Sequence, residues 1–213
     1  MKQVLLSFLL LCSSVSIASA QNKRYVFFLH NMYLEQAGLN GEHPEYGRVE
    51  YKEVISAFEK EGFTVISEVR NNGTDAVEYA KKVKRQADSL VATGVRASYI
   101  TVVGTSKGAF IAWHVAGMMG KKNMNFVLIG ICNESTIADN KNVQPSGNIL
   151  SIYEKTDVIG QSCLTVKNSS TGEINHFREI ELNTGQKHGF LYRASPLWLG
   201  PAIKWAKGNY ELN

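Results

Sequence analysis

The stretch Tyr99-Ile100-Thr101-Val102-Val103-Gly104-Thr105-Ser106-Lys107-Gly108-Ala109-Phe110-Ile111-Ala112-Trp113 decides how this chain is read. Its first five residues, rich in β-branched side chains, read as a buried strand, and its last five as the start of a buried helix. Between them stands Gly104-Thr105-Ser106-Lys107-Gly108, a G-x-S-x-G pattern. A tight strand-to-helix turn forces its central residue into a strained backbone conformation. Glycines two before and two after let the two elements approach without clashing side chains, and the serine hydroxyl projects outward. In a chain with 18 glycines the pentapeptide alone is weak, so its flanks and downstream partners must support it.

Working outward, the pattern on both sides alternates strand with helix. Tyr25 to Leu29 reads as a strand buried on both faces, followed by a long polar loop from His30 to about Arg48. Tyr51, Val54, Ile55 and Phe58 then mark one helical face that Gly62 is placed to stop. Phe63 to Val69 reads as the next strand. Thr74 or Asp75 can cap a helix carrying Ala76, Ala80, Val83, Ala87 and Leu90, with Gly94 as its stop. Beyond the elbow, Phe126 to Ile131, Asn148 to Tyr153 and Phe177 to Leu182 read as strands, the last as an edge or late one. A final helix is expected to begin near Pro201 and to carry Ile203 and Trp205. Apolar strands alternating with helices indicate a mainly parallel sheet covered on both faces, a three-layer α/β/α arrangement. Ligands of such sheets bind beyond the carboxyl ends of the strands.

Two further residues fall at that edge. A serine hydroxyl is a weak nucleophile at neutral pH, so it needs a base, and the base needs an orienting acid. Asp157 follows the strand ending at Tyr153, and His188 lies in the loop after the strand ending near Leu182. Glu154, three residues before Asp157 and nearer the strand end, competes for the acid role, and Asp139 is a more distant option. Of the other histidines, His114 falls inside the helix after the elbow, and His176 precedes a strand at the wrong end of the sheet.

The order Ser106, Asp157, His188 on this alternating pattern resembles the α/β-hydrolase superfamily over nearly all of the mature chain. The His188-Gly189-Phe190 sequence is similar to that of dienelactone-hydrolase-like members. The resemblance implies a minimal α/β-hydrolase fold without a large cap, and a serine esterase or related hydrolase that uses no metal or organic cofactor. Ser106 would be the nucleophile, His188 the base and then acid, and Asp157 the group that fixes the imidazole tautomer. The oxyanion hole would combine the backbone N–H of Lys107 with a second donor after the first strand. Family members often have His-Gly there; here His30-Asn31-Met32 stands instead, leaving the second donor open between Asn31 and Met32. The Lys107 side chain is read as a solvated head and not as the base of a Ser-Lys dyad.

Residues 1–20 read as a cleaved secretory signal, with Lys2, an apolar run from Val4 to Leu11, and Ala18-Ser19-Ala20 before Gln21. The run is too short for a bilayer span. A lipidated Cys12 is disfavoured because Leu11 precedes it. Removal leaves 21–213 as a single domain, in a secreted or periplasmic protein with no stable membrane insertion. With Lys2 gone, 22 basic residues face 19 acidic ones, a formal balance of +3. The densest basic group, Lys81-Lys82-Val83-Lys84-Arg85, lies in an amphipathic helix, so no nucleic-acid partner is expected. Cys132 and Cys163 either form one disulfide or stand as two thiols, and no spacing matches a structural zinc site.

Two features leave alternatives. The loop with Glu35, Leu39, His43, Glu45, Tyr46 and Arg48 is either a substrate-side lid or a packed surface loop. Arg70, at a strand end, either meets an anionic substrate group or pairs with Asp75 or Glu35. The expected partner is a small-molecule ester, small or exposed for want of a cap. The second reading, motivated by Asn31, is a binding protein on this fold with negligible hydrolytic activity.

Overall fold

The computed structural model describes residues 23–120 and 122–212; the signal segment and Cys12 lie outside the described residues. The chain runs β1 (Tyr25–Leu29), α1 (Met32–Ala37), β2 (Glu42–His43), β3 (Gly47–Arg48), α2 (Tyr51–Lys60), β4 (Thr64–Ile66), α3 (Ala76–Ala92), β5 (Ile100–Thr105) and α4 (Lys107–Met118). It continues through β6 (Asn125–Ile129), α5 (Glu134–Asp139), β7 (Gly147–Glu154), α6 (Leu164–Ser169), β8 (Ile174–Leu182), a 3-10 turn (Lys187–Tyr192) and α7 (Pro196–Ala206).

Six strands form one sheet in the order β4-β1-β5-β6-β7-β8, and every pairing in it is parallel. Each strand sends alternate side chains to opposite faces, so one run of apolar residues serves two cores. Phe27, Leu29 and Val102 pack under α3 and α4 with Ala80, Val83, Ile111 and Trp113. Val26, Phe28 and Val103 pack on the other face with Leu34 of α1, Tyr51, Val54 and Phe58 of α2, and Trp198 and Trp205 of α7. The architecture is the three-layer α/β/α arrangement read from the sequence.

The register places the chemistry-bearing residues along one edge. Leu29 pairs with Gly104, Thr105 with Ile129, Ile129 with Ile152, and Glu154 with Leu182. Residues just past these positions emerge together at the carboxyl edge of the sheet. Asp157 and His188 reach that edge on short loops.

Several expectations are corrected. The polar loop from His30 to Arg48 folds: Asn31 caps α1 by accepting the Leu34 N–H at 3.1 Å, Gly38 closes it at φ 69°, and β2 and β3 form an antiparallel ribbon. The strand expected from Phe63 to Val69 is paired only over Thr64–Ile66. Beyond it the Ser67 hydroxyl, itself accepting from Tyr51, donates to the Phe28 carbonyl at 2.6 Å, and a side chain replaces the ladder.

The last helix starts at Pro196, not near Pro201: Ser195 caps it, Pro196 fills the first turn where no N–H is missed, and Pro201 lies inside. The short helices α5 and α6, each of six residues, were not expected at all. His176 lies within the amino-terminal part of β8.

Candidate active site

Ser106 follows β5 directly and occupies the N-cap position of α4 with φ 50° and ψ −117°, a conformation costly for any side chain with a Cβ. The surroundings over-determine it. A Cβ on Gly104 would stand 2.2 Å from the Gly108 carbonyl oxygen, and one on Gly108 would stand 1.8 Å from the Leu29 carbonyl oxygen. The Ser106 N–H donates to Ile129 at 2.9 Å, tying the turn to the end of β6. Lys107, as the first residue of α4, has a backbone N–H with no acceptor inside the helix.

The Ser106 hydroxyl donates to Nε2 of His188 at 2.9 Å, and Nδ1–H of His188 donates to Oδ2 of Asp157 at 2.6 Å. Asp157 is buried, and its other oxygen accepts the Ile159 N–H at 2.8 Å, which fixes the carboxylate plane. His188 stands one residue after Lys187, which adopts φ 50° to turn the ring inward. Gly189 permits the contact that covers this turn: a Cβ there would be 2.3 Å from the Tyr46 ring. Tyr46 in turn stacks on His43 at 4.5 Å and packs against Tyr192. The ribbon therefore braces the histidine loop, and a cleft of about 280 Å³ opens beside it, lined by Tyr46, Lys187, Gly189 and Arg193.

Glu154 is fully buried but does not reach His188. One of its oxygens accepts from the Thr184 and Gly185 N–H groups at 2.8 and 3.1 Å, and the other from Thr156 N–H and hydroxyl at 2.7 and 2.5 Å. Burial alone would raise its pKa; these donors outweigh it and hold the carboxyl below its ordinary value. Glu154 thus joins the loops that carry Asp157 and His188. Asp139, at the exposed end of α5, is not among the groups that contact His188.

The loop bearing Asp157 is also held covalently. Cys132 and Cys163, 31 positions apart in sequence, form a disulfide, the Gln161 N–H donates to the Cys132 carbonyl at 2.8 Å, and Gly160 lies so close that a Cβ would be 2.2 Å from the Gly130 carbonyl carbon. Small residues at both contact points let the two loops touch. Val158 and Ile159, next to Asp157, are exposed, as is Met32, next to Asn31.

On the opposite side of Ser106 lies a cluster of which the sequence offered only the Arg70–Glu35 pair, as one of the alternatives for Arg70. Glu35, inside α1, is buried and accepts from Nε of Arg70 at 2.5 Å and from Nζ of Lys107 at 2.6 Å. Lys107 also donates to the Thr74 carbonyl at 2.6 Å, so its head is anchored and not solvated as expected. Of the two readings of Arg70, the ion pair with Glu35 is the one formed, both side chains being buried.

His30 completes the cluster. Its Nε2 accepts the Arg70 N–H at 2.9 Å, which leaves Nδ1–H to donate to the Asn31 carbonyl at 2.7 Å. Burial, reinforced by the Arg70 charge, lowers its pKa to about 4, so the ring is neutral at pH 7. Nδ2 of Asn31 and Nη1 of Arg70 are buried donors without a hydrogen-bond partner. The signal for Glu35 was present in the cap Asn31, the helix-forming run to Ala37 and the stop at Gly38.

Among the described residues no group of three or more His, Cys, Asp or Glu side chains could hold a metal ion. Both peptide units that could supply a second oxyanion donor, at Asn31 and Met32, stand where β1 ends beside the elbow. The arrangement can abstract a proton from a serine hydroxyl, store it on an imidazole and hold the resulting imidazolium against a carboxylate.

No protein-family model matches the chain, and no curated protein sequence matches it. Solved structures do. SOBER1 of Arabidopsis thaliana superposes with a TM-score of 0.55 at 12% identity, over 88% of this chain and 99% of that one. A sugar hydrolase (YeeB) from Lactococcus lactis gives 0.56 at 10% identity over 91% and 93%, and an acetyl xylan esterase from Paenibacillus sp. R4 gives 0.57 at 10% over 88% and 75%. The fold of this chain is the α/β-hydrolase fold, and at these identities the fold is what is shared.

Proposed function

We propose that the protein is an exported serine hydrolase that cleaves an ester or related acyl bond through an acyl-enzyme on Ser106. The observation that carries this reading is the unbroken line from Ser106 Oγ through His188 to Asp157, at 2.9 and 2.6 Å, on a serine held at positive φ. Ser106 Oγ attacks the acyl carbon as its proton passes to Nε2 of His188. The carbonyl oxygen becomes an oxyanion facing the Lys107 N–H and a donor from Asn31 or Met32. Collapse breaks the bond to the leaving oxygen, which takes the proton from His188. Water then repeats the sequence on the acyl-serine and releases the acid.

A small or exposed ester is the substrate class that fits best. Met32, Val158 and Ile159 offer exposed apolar contacts next to site residues, and no inserted domain covers the edge among the described residues. Similarity in fold to a sugar hydrolase from Lactococcus lactis and an acetyl xylan esterase from Paenibacillus sp. R4 favours short acyl groups on polar leaving groups. Export is supported by the composition of residues 1–20 and by the Cys132–Cys163 bridge, which suits an oxidising compartment. Profiling the mature protein against esters of graded acyl length tests the reading. Turnover is expected to be highest for short acyl groups and to vanish in Ser106→Ala; equal turnover in that variant would overturn it.

A further inference from the structure

We infer that Glu35 is a positioning residue that sets both halves of the oxyanion hole, through Arg70 and His30 on one side and through Lys107 on the other. The inference rests on the hydrolase reading and deepens it. It starts from the geometry of the peptide unit: in a trans peptide the carbonyl and the following N–H point in opposite directions, so holding one aims the other. Nη2 of Arg70 donates to the His30 carbonyl, and this fixes the direction of the Asn31 N–H. Nδ1–H of His30 donates to the Asn31 carbonyl at 2.7 Å, and this fixes the Met32 N–H. Whichever of the two supplies the second donor, its peptide is clamped from behind by the Arg70–His30 pair.

Glu35 holds that clamp. Its Oε1 takes Nε of Arg70 at 2.5 Å, while the backbone N–H of the same arginine donates to His30 at 2.9 Å. Its Oε2 takes Nζ of Lys107 at 2.6 Å, and Lys107 carries the other oxyanion donor on its own backbone. One carboxylate, 1% exposed at its side chain, thus spans the first loop, the segment after β4 and the elbow. A buried carboxylate with a single partner would be costly, but here a cation meets each oxygen of Glu35, and Lys107 is held further by the Thr74 carbonyl. Buried ion pairs contribute little net stability compared with apolar packing, so a geometric role is the better account of these charges.

The test compares wild type with Glu35→Gln and Lys107→Met. Active sites are counted by fluorophosphonate titration, and kcat, KM and the affinity for phenylboronic acid are measured. The boronate adduct on Ser106 places an oxygen at the oxyanion position. In Glu35→Gln, kcat per titrated site is expected to fall about 10- to 100-fold, with KM changed by less than about threefold and boronate affinity falling in parallel. Lys107→Met keeps its backbone N–H and the Glu35–Arg70 pair, so a smaller fall of about 3- to 10-fold is expected.

A purely structural role would lower yield or melting temperature and leave kcat per site and boronate affinity unchanged, and that result overturns the inference. Should Glu35→Gln fail to fold, Lys107→Met decides alone by the same criterion. A wild type that turns over no ester removes the hydrolase reading and this inference together. An active wild type with unchanged variants removes only the inference.

Discussion

On one side of Ser106 the chain sets His188 and Asp157, each a few residues beyond a strand end, with Asp157 tied to Ile159 in its own loop and His188 held between Asp157 and Ser106. On the other side it sets His30 and Asn31, whose positions depend on Glu35, Arg70 and Lys107, up to 72 residues apart in sequence. The first side is built from strand register. When parallel strands end in step, any loop that follows them arrives at the same edge, and a short loop leaves little freedom. The second side is built from tertiary contacts among charged groups, and nothing in strand order demands them.

The contrast predicts different consequences when each side is damaged. The largest effect belongs to the first: Asp157→Asn is expected to reduce kcat by about 10⁴-fold while the fold remains, because the imidazole loses the acceptor that sets its tautomer. Glu154→Gln provides the sharper comparison. It disturbs the loops through the Thr156, Thr184 and Gly185 donors, so it should lower stability by about 1–3 kcal/mol and reduce rate far less than Asp157→Asn. Urea unfolding and steady-state kinetics on both variants check this, and a greater rate loss at Glu154 would reassign the acid.

Gly108→Ala attacks the wall that both sides share. An added methyl would meet the Leu29 carbonyl oxygen at 1.8 Å and the His30 carbonyl oxygen at 2.7 Å, both backbone atoms that cannot rotate away. A loss of about 4 kcal/mol or more in urea unfolding is expected, among the largest for a single substitution. A stable, active variant would show that β1 and α4 are farther apart than described.

The second side is expected to report through pH. His30 has a pKa of about 4 when folded against 6.5 for the ordinary ring. Between those values the unfolded chain binds more protons than the folded one, so stability falls as pH drops below 6.5. The contribution, about 3 kcal/mol, is fully lost below about pH 4. Urea midpoints between pH 7 and 4 check the slope, and His30→Asn should flatten it. Least is expected from Asn31→Ala, which removes the cap of α1 and should cost about 1 kcal/mol in the same assay.

The same contrast explains what the sequence could reveal. The elbow announces itself locally: its glycines, its β-branched strand and its apolar helix are contiguous, and Asp157 and His188 follow strands whose composition is equally plain. Tyr51, Val54 and Phe58 likewise show the helical period they bury. The first loop is different. Its polar composition reads as a lid or a packed surface loop, yet Glu35 is buried because Arg70 and Lys107 come to it from elsewhere. The six-residue helices α5 and α6 carry too few periodic positions to stand out, and Pro201 drew the start of α7 away from Ser195-Pro196, where the cap stands.

One measurement bears most directly on the account: the intact mass of the folded mature protein after reaction with a fluorophosphonate. The account predicts a single adduct on Ser106, absent in Ser106→Ala and formed much more slowly in His188→Ala. Folded protein that gains no mass, or gains it on another residue, would contradict the account and favour a binding role for this fold.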